Sequence, residues 1–218
     1  MKQMKLMLLI ASFFCIFSCT REPILVEMEN SSEEDIVVEI DDRPPFTLPK
    51  KSYYAIKLPP GNRKVKFNNG EGITFQLNYN RKTFLNPGRG KYYFENAVFV
   101  GKGKPIFEQY VDTFFVGGYK IVGPFEFYSD EIIINGDWDF GLRELIPNQM
   151  EIKSEKYSLG YVTARKYKLV GEQYLINQAV YENRKMIYSL RENKVKDKEI
   201  KLLLELSDEQ FKYLSGDD

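Results

Sequence analysis

Residues 134–141, I-N-G-D-W-D-F-G, place Asp137 and Asp139 on either side of Trp138, with Asp130 and Glu131 just upstream. Acidic oxygens at alternate positions of a turning backbone are the ligands calcium takes. The EF-hand spacing is not met, since a third acidic position and the closing glutamate are missing. The sequence therefore predicts no metal site here, and the bland alternative is a hairpin turn whose aspartates face water. Trp138 is the one tryptophan of the chain. Between two carboxylates it would stack on a sugar face while the acids bond hydroxyls; otherwise a lone tryptophan in a β-domain belongs to a core or its rim. Asp137, Trp138 and Asp139 are thus the candidate ligand-binding residues.

The wider set of acids, Asp130, Glu131, Asp137, Asp139 and Glu144, offers the only catalytic pair the composition permits. Glycoside hydrolysis needs two carboxylates about 5–10 Å apart and no histidine. Any chain with 31 acidic residues contains such pairs, so the pattern points nowhere in particular. Histidine is absent. That removes Ser-His-Asp and Cys-His catalysis, and with them histidine-ligated zinc, iron or copper. The G-x-S-x-G, S-x-x-K and G-x-x-x-x-G-K motifs are missing too, and residues 101–103, G-K-G, lack the third glycine of a dinucleotide loop. No catalytic residue, cofactor or metal is expected.

Basic residues lie beside aromatic ones in residues 80–94, N-R-K-T-F-L-N-P-G-R-G-K-Y-Y-F, and lysines recur in residues 101–105, G-K-G-K-P. Such patches bind anionic glycans or nucleic acid when the rings face out, and are ordinary hairpin tips when the rings face in. The whole chain has 31 basic and 31 acidic residues, which gives no general case for a polyanionic partner.

The first twenty residues carry chemistry of another kind. Lys2 and Lys5 precede an apolar run from Leu6 to Phe17, and polar Thr20, Arg21 and Glu22 follow. That is the layout of a secretory signal, too short for a comfortable membrane span of about 20 residues. Ile16-Phe17-Ser18-Cys19 resembles the lipobox of bacterial lipoproteins, with Ser18 in the small position and Phe17 departing from the small or polar residue usual there. Cys15 is the rival, but bulky Phe14 precedes it. The resemblance covers residues 1–20 and implies a signal peptide over 1–18 and di- or triacylation of Cys19, with palmitate-like chains that anchor stably. It also implies that Thr20, in place of a retaining aspartate, favours the outer membrane. Cleavage would leave 200 of 218 residues, with 29 basic against 31 acidic. The remaining cysteine would carry lipid, so no disulfide within the chain is expected.

Period-two patterns supply the positioning elements. Ile36, Val38 and Ile40; Tyr54, Ile56 and Leu58; Val65 and Phe67; and Ile73, Phe75, Leu77 and Tyr79 each alternate with other residues, as half-buried strands do. Turn chemistry separates them at residues 30–32, 44–45, 59–62 and 69–70. Residues 24–67, ending in L-P-P-G-N-R-K-V-K-F, loosely resemble the prealbumin-like or PEGA-like β-sandwich modules of bacterial surface proteins. Further strands are expected over residues 91–100 and 120–128, broken by Gly117-Gly118 and Gly123-Pro124, and over residues 157–163. Residues 132–134 form a β-branched run that ends at Asn135-Gly136, a strong hairpin-turn dipeptide. A helix is expected over residues 173–193, on a stripe of Ile176, Val180, Ile187 and Leu190. Residues 200–206 fit either a strand or a helix end. A last helix starts at Ser207, with Gln210 completing a capping box, Leu206 and Phe211 as its staple and Gly216 as its stop.

The expected fold is β-rich α+β: one or two small antiparallel β-sandwich-like domains with a C-terminal helical portion. A tether over residues 19–23, a first domain over 24–80 and a second over 81–218 follow, with the boundary best placed in 78–90. The expected function is non-catalytic, that of an envelope lipoprotein held to a membrane by lipid and binding an envelope protein or glycan, with no nucleic acid partner. The alternatives are a carboxylate-dependent glycan hydrolase and an immunity or inhibitor lipoprotein.

Overall fold

A computed structural model describes residues 22–100, 105–106, 112–148 and 163–216. The signal segment, Cys19, the G-K-G-K of residues 101–104 and, of the strand expected over 157–163, all but Thr163 lie outside the described residues. The fold is strand-rich, with several small and mainly antiparallel sheets and a C-terminal part of three helices. Among the described residues no helix is long and apolar enough to cross a membrane.

The chain divides into two compact units. The first runs to Gly88 and takes in Ile132–Gly136; the second holds Arg89–Glu131 and the chain from Asp137 on.

The first unit is β-sandwich-like. Strands β1 (Ile24–Asn30), β4 (Ser52–Leu58), β7 (Lys82–Leu85) and β13 (Ile133–Gly136) make one sheet in the order β13-β7-β1-β4. Strands β2 (Ile36–Ile40), β3 (Phe46–Leu48), β5 (Gly61–Phe67) and β6 (Ile73–Leu77) make the other, in the order β3-β2-β5-β6. All pairings are antiparallel except β1 with β7, which is parallel. The alternation in sequence is the alternation in space: Val26, Met28, Ile36, Val38, Ile40 and Leu77 point inward and are at most 5% exposed, forming one continuous apolar cluster between the sheets. Gly61 has φ of +120°, a backbone that side chains rarely adopt, and it turns the chain from one sheet into the other.

Asn135-Gly136 is not the hairpin turn its residue types suggest. Both residues belong to β13, and neither adopts a left-handed φ. Asn135 pairs with Thr83 of β7, whose hydroxyl donates to the Asn135 side-chain oxygen at 2.8 Å. A tertiary partner far back in the chain overrides the local turn preference.

In the second unit, β8 (Tyr92–Val100) is the central strand, with β14 (Thr163–Gly171) on one side and β12 (Phe125–Ser129) and the short β9 (Pro105–Ile106) also pairing with it. Strands β10 (Asp112–Val116) and β11 (Tyr119–Gly123) form a separate hairpin. The helices are α1 (Glu172–Glu192), α2 (Asp197–Leu203) and α3 (Asp208–Ser215). Residues 200–206 therefore end a helix and its turn, not a strand. The capping box at α3 forms as expected: Gln210 N donates to Ser207 Oγ at 3.2 Å, Ser207 N donates to Gln210 Oε1 at 2.9 Å, and Gly216 closes the helix in the left-handed region. Tyr93 of β8 and Val170 of β14 meet Leu175 and Ala179 of α1 in one apolar cluster. A second cluster ties α1 to α2 and α3 through Ile187, Ile200, Leu206 and Leu214.

Candidate functional site

The residues singled out by type are mostly committed to structure. Trp138 is 2% exposed. Its indole packs with Phe94 and Tyr128, with ring centroids 6.4 Å apart in each case, so no face of it is open to a sugar. Its Nε1 is buried without a hydrogen-bond partner. The Asp139 carboxylate accepts from Lys166 Nζ at 2.6 Å and from the Tyr167 N–H at 2.9 Å. These contacts fasten the segment to β14. Glu144 accepts from the Gly141 N–H at 2.6 Å and closes a local turn. Asp130, Glu131 and Asp137 are exposed. Among the described residues no group of three or more acidic or cysteine side chains is arranged to hold a metal ion. In the basic segment, Phe84, Tyr92 and Tyr93 are buried, while Arg81 and Lys91 are exposed; the rings face in.

Two features of the second unit were not found by type. The first is a polar cluster inside the sheet–helix layer. Glu95 of β8 stands opposite Lys168 of β14, so the two side chains share one face. Lys168 is 5% exposed, and its ammonium lies 5.0 Å from the centroid of the Tyr174 ring, on α1. Glu95 Oε2 is buried without a hydrogen-bond partner. Burial pushes the Glu95 carboxyl above its usual range, and the Lys168 charge only partly offsets it. Burial, with the Glu95 charge adding to it, likewise raises the Tyr174 phenol. The sequence signal was thin: one glutamate in an apolar strand, K-Y-Y-F-E-N-A-V-F-V.

The second feature is an open groove of about 290 Å³. Its floor is α1, where Met186 and a sliver of Ala179 supply apolar surface above the buried Leu175. Lys120, Ile121 and Val122 of β11, with Phe125, form one wall, and Leu203 at the end of α2 and Leu204 after it form the other. The groove is apolar at its open edge as well as its base: Val122 is 58% exposed, Met186 48% and Leu203 65%. Leu175, Ala179, Glu182 and Met186 recur three and four apart on α1, so a single helix face faces the groove. What holds the wall in place is local. The Gly117-Gly118 turn takes φ of 56° and 80°, as the tightest hairpins require. Val116 and Ile121 then pack into the α1 core. Lys120 and Glu205 form an ion pair at the rim.

The groove offers apolar surface and backbone, with Lys120 and Glu182 as the charged residues of its lining. Comparisons with protein-family models, with curated proteins and with solved structures find no match for this chain.

Proposed function

We propose that this is a lipid-anchored cell-envelope protein, processed at Cys19, whose second unit docks a partner in the groove beside α1 and carries out no chemistry on it. The anchor rests on the lipobox-like Ile16-Phe17-Ser18-Cys19 and the signal layout before it; Thr20 favours the outer membrane. The docking role rests on one observation, the apolar groove lined by exposed Val122, Met186 and Leu203. Contiguous apolar surface left open in a folded protein marks an interaction site.

Labelling cells with a radioactive fatty acid tests the anchor. Label is expected in a membrane-associated product of the unsubstituted chain, and Cys19→Ser is expected to remain unprocessed or soluble. A Cys19→Ser protein that still migrates as mature and partitions with membranes overturns the lipoprotein reading.

One observation favours the second reading, a carboxylate-dependent glycan hydrolase: Glu95 is the kind of buried, raised carboxyl that serves as a general acid. Against it, the charge beside Glu95 is the Lys168 cation and not a second carboxylate, and both hydrolytic geometries need two acids. Incubation with peptidoglycan and common polysaccharides is expected to release no reducing ends. Release that disappears in Glu95→Gln, or on neutralising one of Asp130, Glu131, Asp137, Asp139 or Glu144, promotes the hydrolase.

A further inference from the structure

The occupant of the groove is written in the backbone of its wall. Lys120, Ile121 and Val122 are consecutive strand residues, yet all three line the groove. Consecutive side chains of a strand point to opposite faces, so what the three share toward the groove is the edge of the strand. Among the described residues strand β11 pairs only with β10, over Asp112↔Gly123 to Val116↔Tyr119. The two-residue Gly117-Gly118 turn makes Val116 and Tyr119 a hydrogen-bonded pair. Alternation along an antiparallel ladder then assigns Tyr119, Ile121 and Gly123 to bonds with β10, and turns the N–H and C=O groups of Lys120 and Val122 outward. Among the described residues no backbone hydrogen bond reaches those outward groups.

We propose that the groove binds an extended peptide, added as a strand to the edge of β11 that no other described residue pairs with, with apolar side chains at alternate positions directed onto α1. This deepens the docking role proposed above and rests on it. Strand addition of this kind draws affinity from main-chain bonds and specificity from pockets for every second side chain. A helical or acyl occupant would use the apolar floor formed by Leu175, Ala179 and Met186. It would leave the Lys120 and Val122 backbone groups unused, because a helix satisfies its own backbone and an acyl chain has no donors. An extended peptide uses both. Its inward side chains should not be acidic, since Glu182 lies along the floor and the Lys120 ammonium is already taken by Glu205.

The test selects binders from a displayed library of random nonapeptides against the purified full chain, then measures amide hydrogen exchange with and without the best peptide. The expected binders carry apolar residues at every second position. On binding, exchange at the Lys120 and Val122 amides slows, while Ile121, already paired with β10, changes little. Val122→Pro, which removes one outward donor at a strand edge, should weaken binding about tenfold, the loss of one or two hydrogen bonds. The exchange measurement uses the unsubstituted protein, so it stands if that variant folds poorly. Enriched peptides with apolar residues three and four apart, unchanged exchange at Lys120 and Val122, or no enrichment at all would each overturn strand addition. Helix-patterned peptides that are lost on Met186→Glu leave the docking groove standing without the strand. Peptides indifferent to Met186→Glu remove the docking role itself.

Discussion

Asn30 in the first unit and Glu95 in the second are both polar side chains held inside a layer of the fold, and they are treated in opposite ways. Asn30 is 0% exposed, and every polar atom it carries is used. Its amide donates to the Glu34, Leu48 and Pro49 carbonyls at 2.7, 3.2 and 3.1 Å, and its oxygen accepts from the Ser32 N–H and hydroxyl. Glu95 Oε2 has no such partner, nor has Trp138 Nε1. The first unit has its own exception in Arg63 Nε, but that guanidinium still bonds Asp41 and the Pro60 carbonyl. The apolar side differs as well. The first unit gathers its core in one cluster between two sheets, while the described residues of the second form separate clusters; both leave single apolar side chains open, Leu25 and Val37 in the first, Val122, Met186 and Leu203 in the second. Buried polar atoms without partners and apolar surface left open both cost stability, and the docking role proposed above would make use of the open surface.

The sharpest break of that contrast is a cavity in the first unit. Leu58 is fully buried between the sheets. Leu58→Ala should cost about 3 kcal/mol, the middle of the range for a buried leucine. Denaturant unfolding measures it, and a cost below about 1 kcal/mol would mean the sandwich core is looser than its burial implies. A smaller effect belongs to the second unit. Ser207→Ala removes the side-chain acceptor of the Gln210 N–H and should cost about 1 kcal/mol. The loss should appear first in the helical part, as faster amide exchange over Asp208–Ser215.

How far the sequence reached is explained by the same contrast. Ile36, Val38 and Ile40 could be assigned because a strand buried on one face writes its own period. The α3 boundaries could be assigned because Ser207, Gln210 and Gly216 act within one turn of each other. Asn135-Gly136 misled, because its pairing with Thr83 and Lys82 is set by a strand about fifty residues away, and the return of Ile132–Gly136 to the first unit leaves no local mark. The candidate site was less legible still. Glu95 looks like any strand glutamate until β14 and α1 cover it, and the groove draws on residues from Lys120 to Leu204 that share no motif. Chemistry-bearing residue types drew attention to Asp137 and Asp139, whereas the groove is made of ordinary leucines, a methionine and a strand edge.

The units should also part company in their response to pH. At Asp41, burial works against ionisation, but the Lys64 N–H and the Arg63 guanidinium outweigh it, and the carboxyl is held below its usual 3.8. A lowered folded pKa gives stability that is present above the unfolded value and is lost as pH falls through the folded one. Glu95 is the reverse. Burial raises its carboxyl above 4.5, so its contribution is best below the unfolded value and is lost as pH rises through the folded one. Melting temperatures across the acid and neutral range should show Asp41→Asn flattening the acid limb and Glu95→Gln flattening the decline on the other side. Identical slopes for Glu95→Gln and the parent would mean that Glu95 is solvated in solution.

The smallest expected effect decides most about the groove. Leu175 and Met186 both line its floor from the same helix, yet Leu175 is 0% exposed and Met186 48%. Leu175 closes the layer between α1 and the sheet with Tyr93 and Val170, so Leu175→Ala should cost about 3 kcal/mol as a core truncation. Met186→Gln keeps an unbranched side chain of similar helix propensity and should change stability by less than about 0.5 kcal/mol, as for an ordinary surface position. The two substitutions lie on one helix face, so a shared helix defect would move them together. Only a difference in what covers each residue separates them. A near-neutral Met186→Gln means its apolar surface contributes nothing to folding and is free for a partner. A cost of about 2 kcal/mol or more would mean that Met186 is packed against part of the chain in solution, and the floor of the groove would then be core.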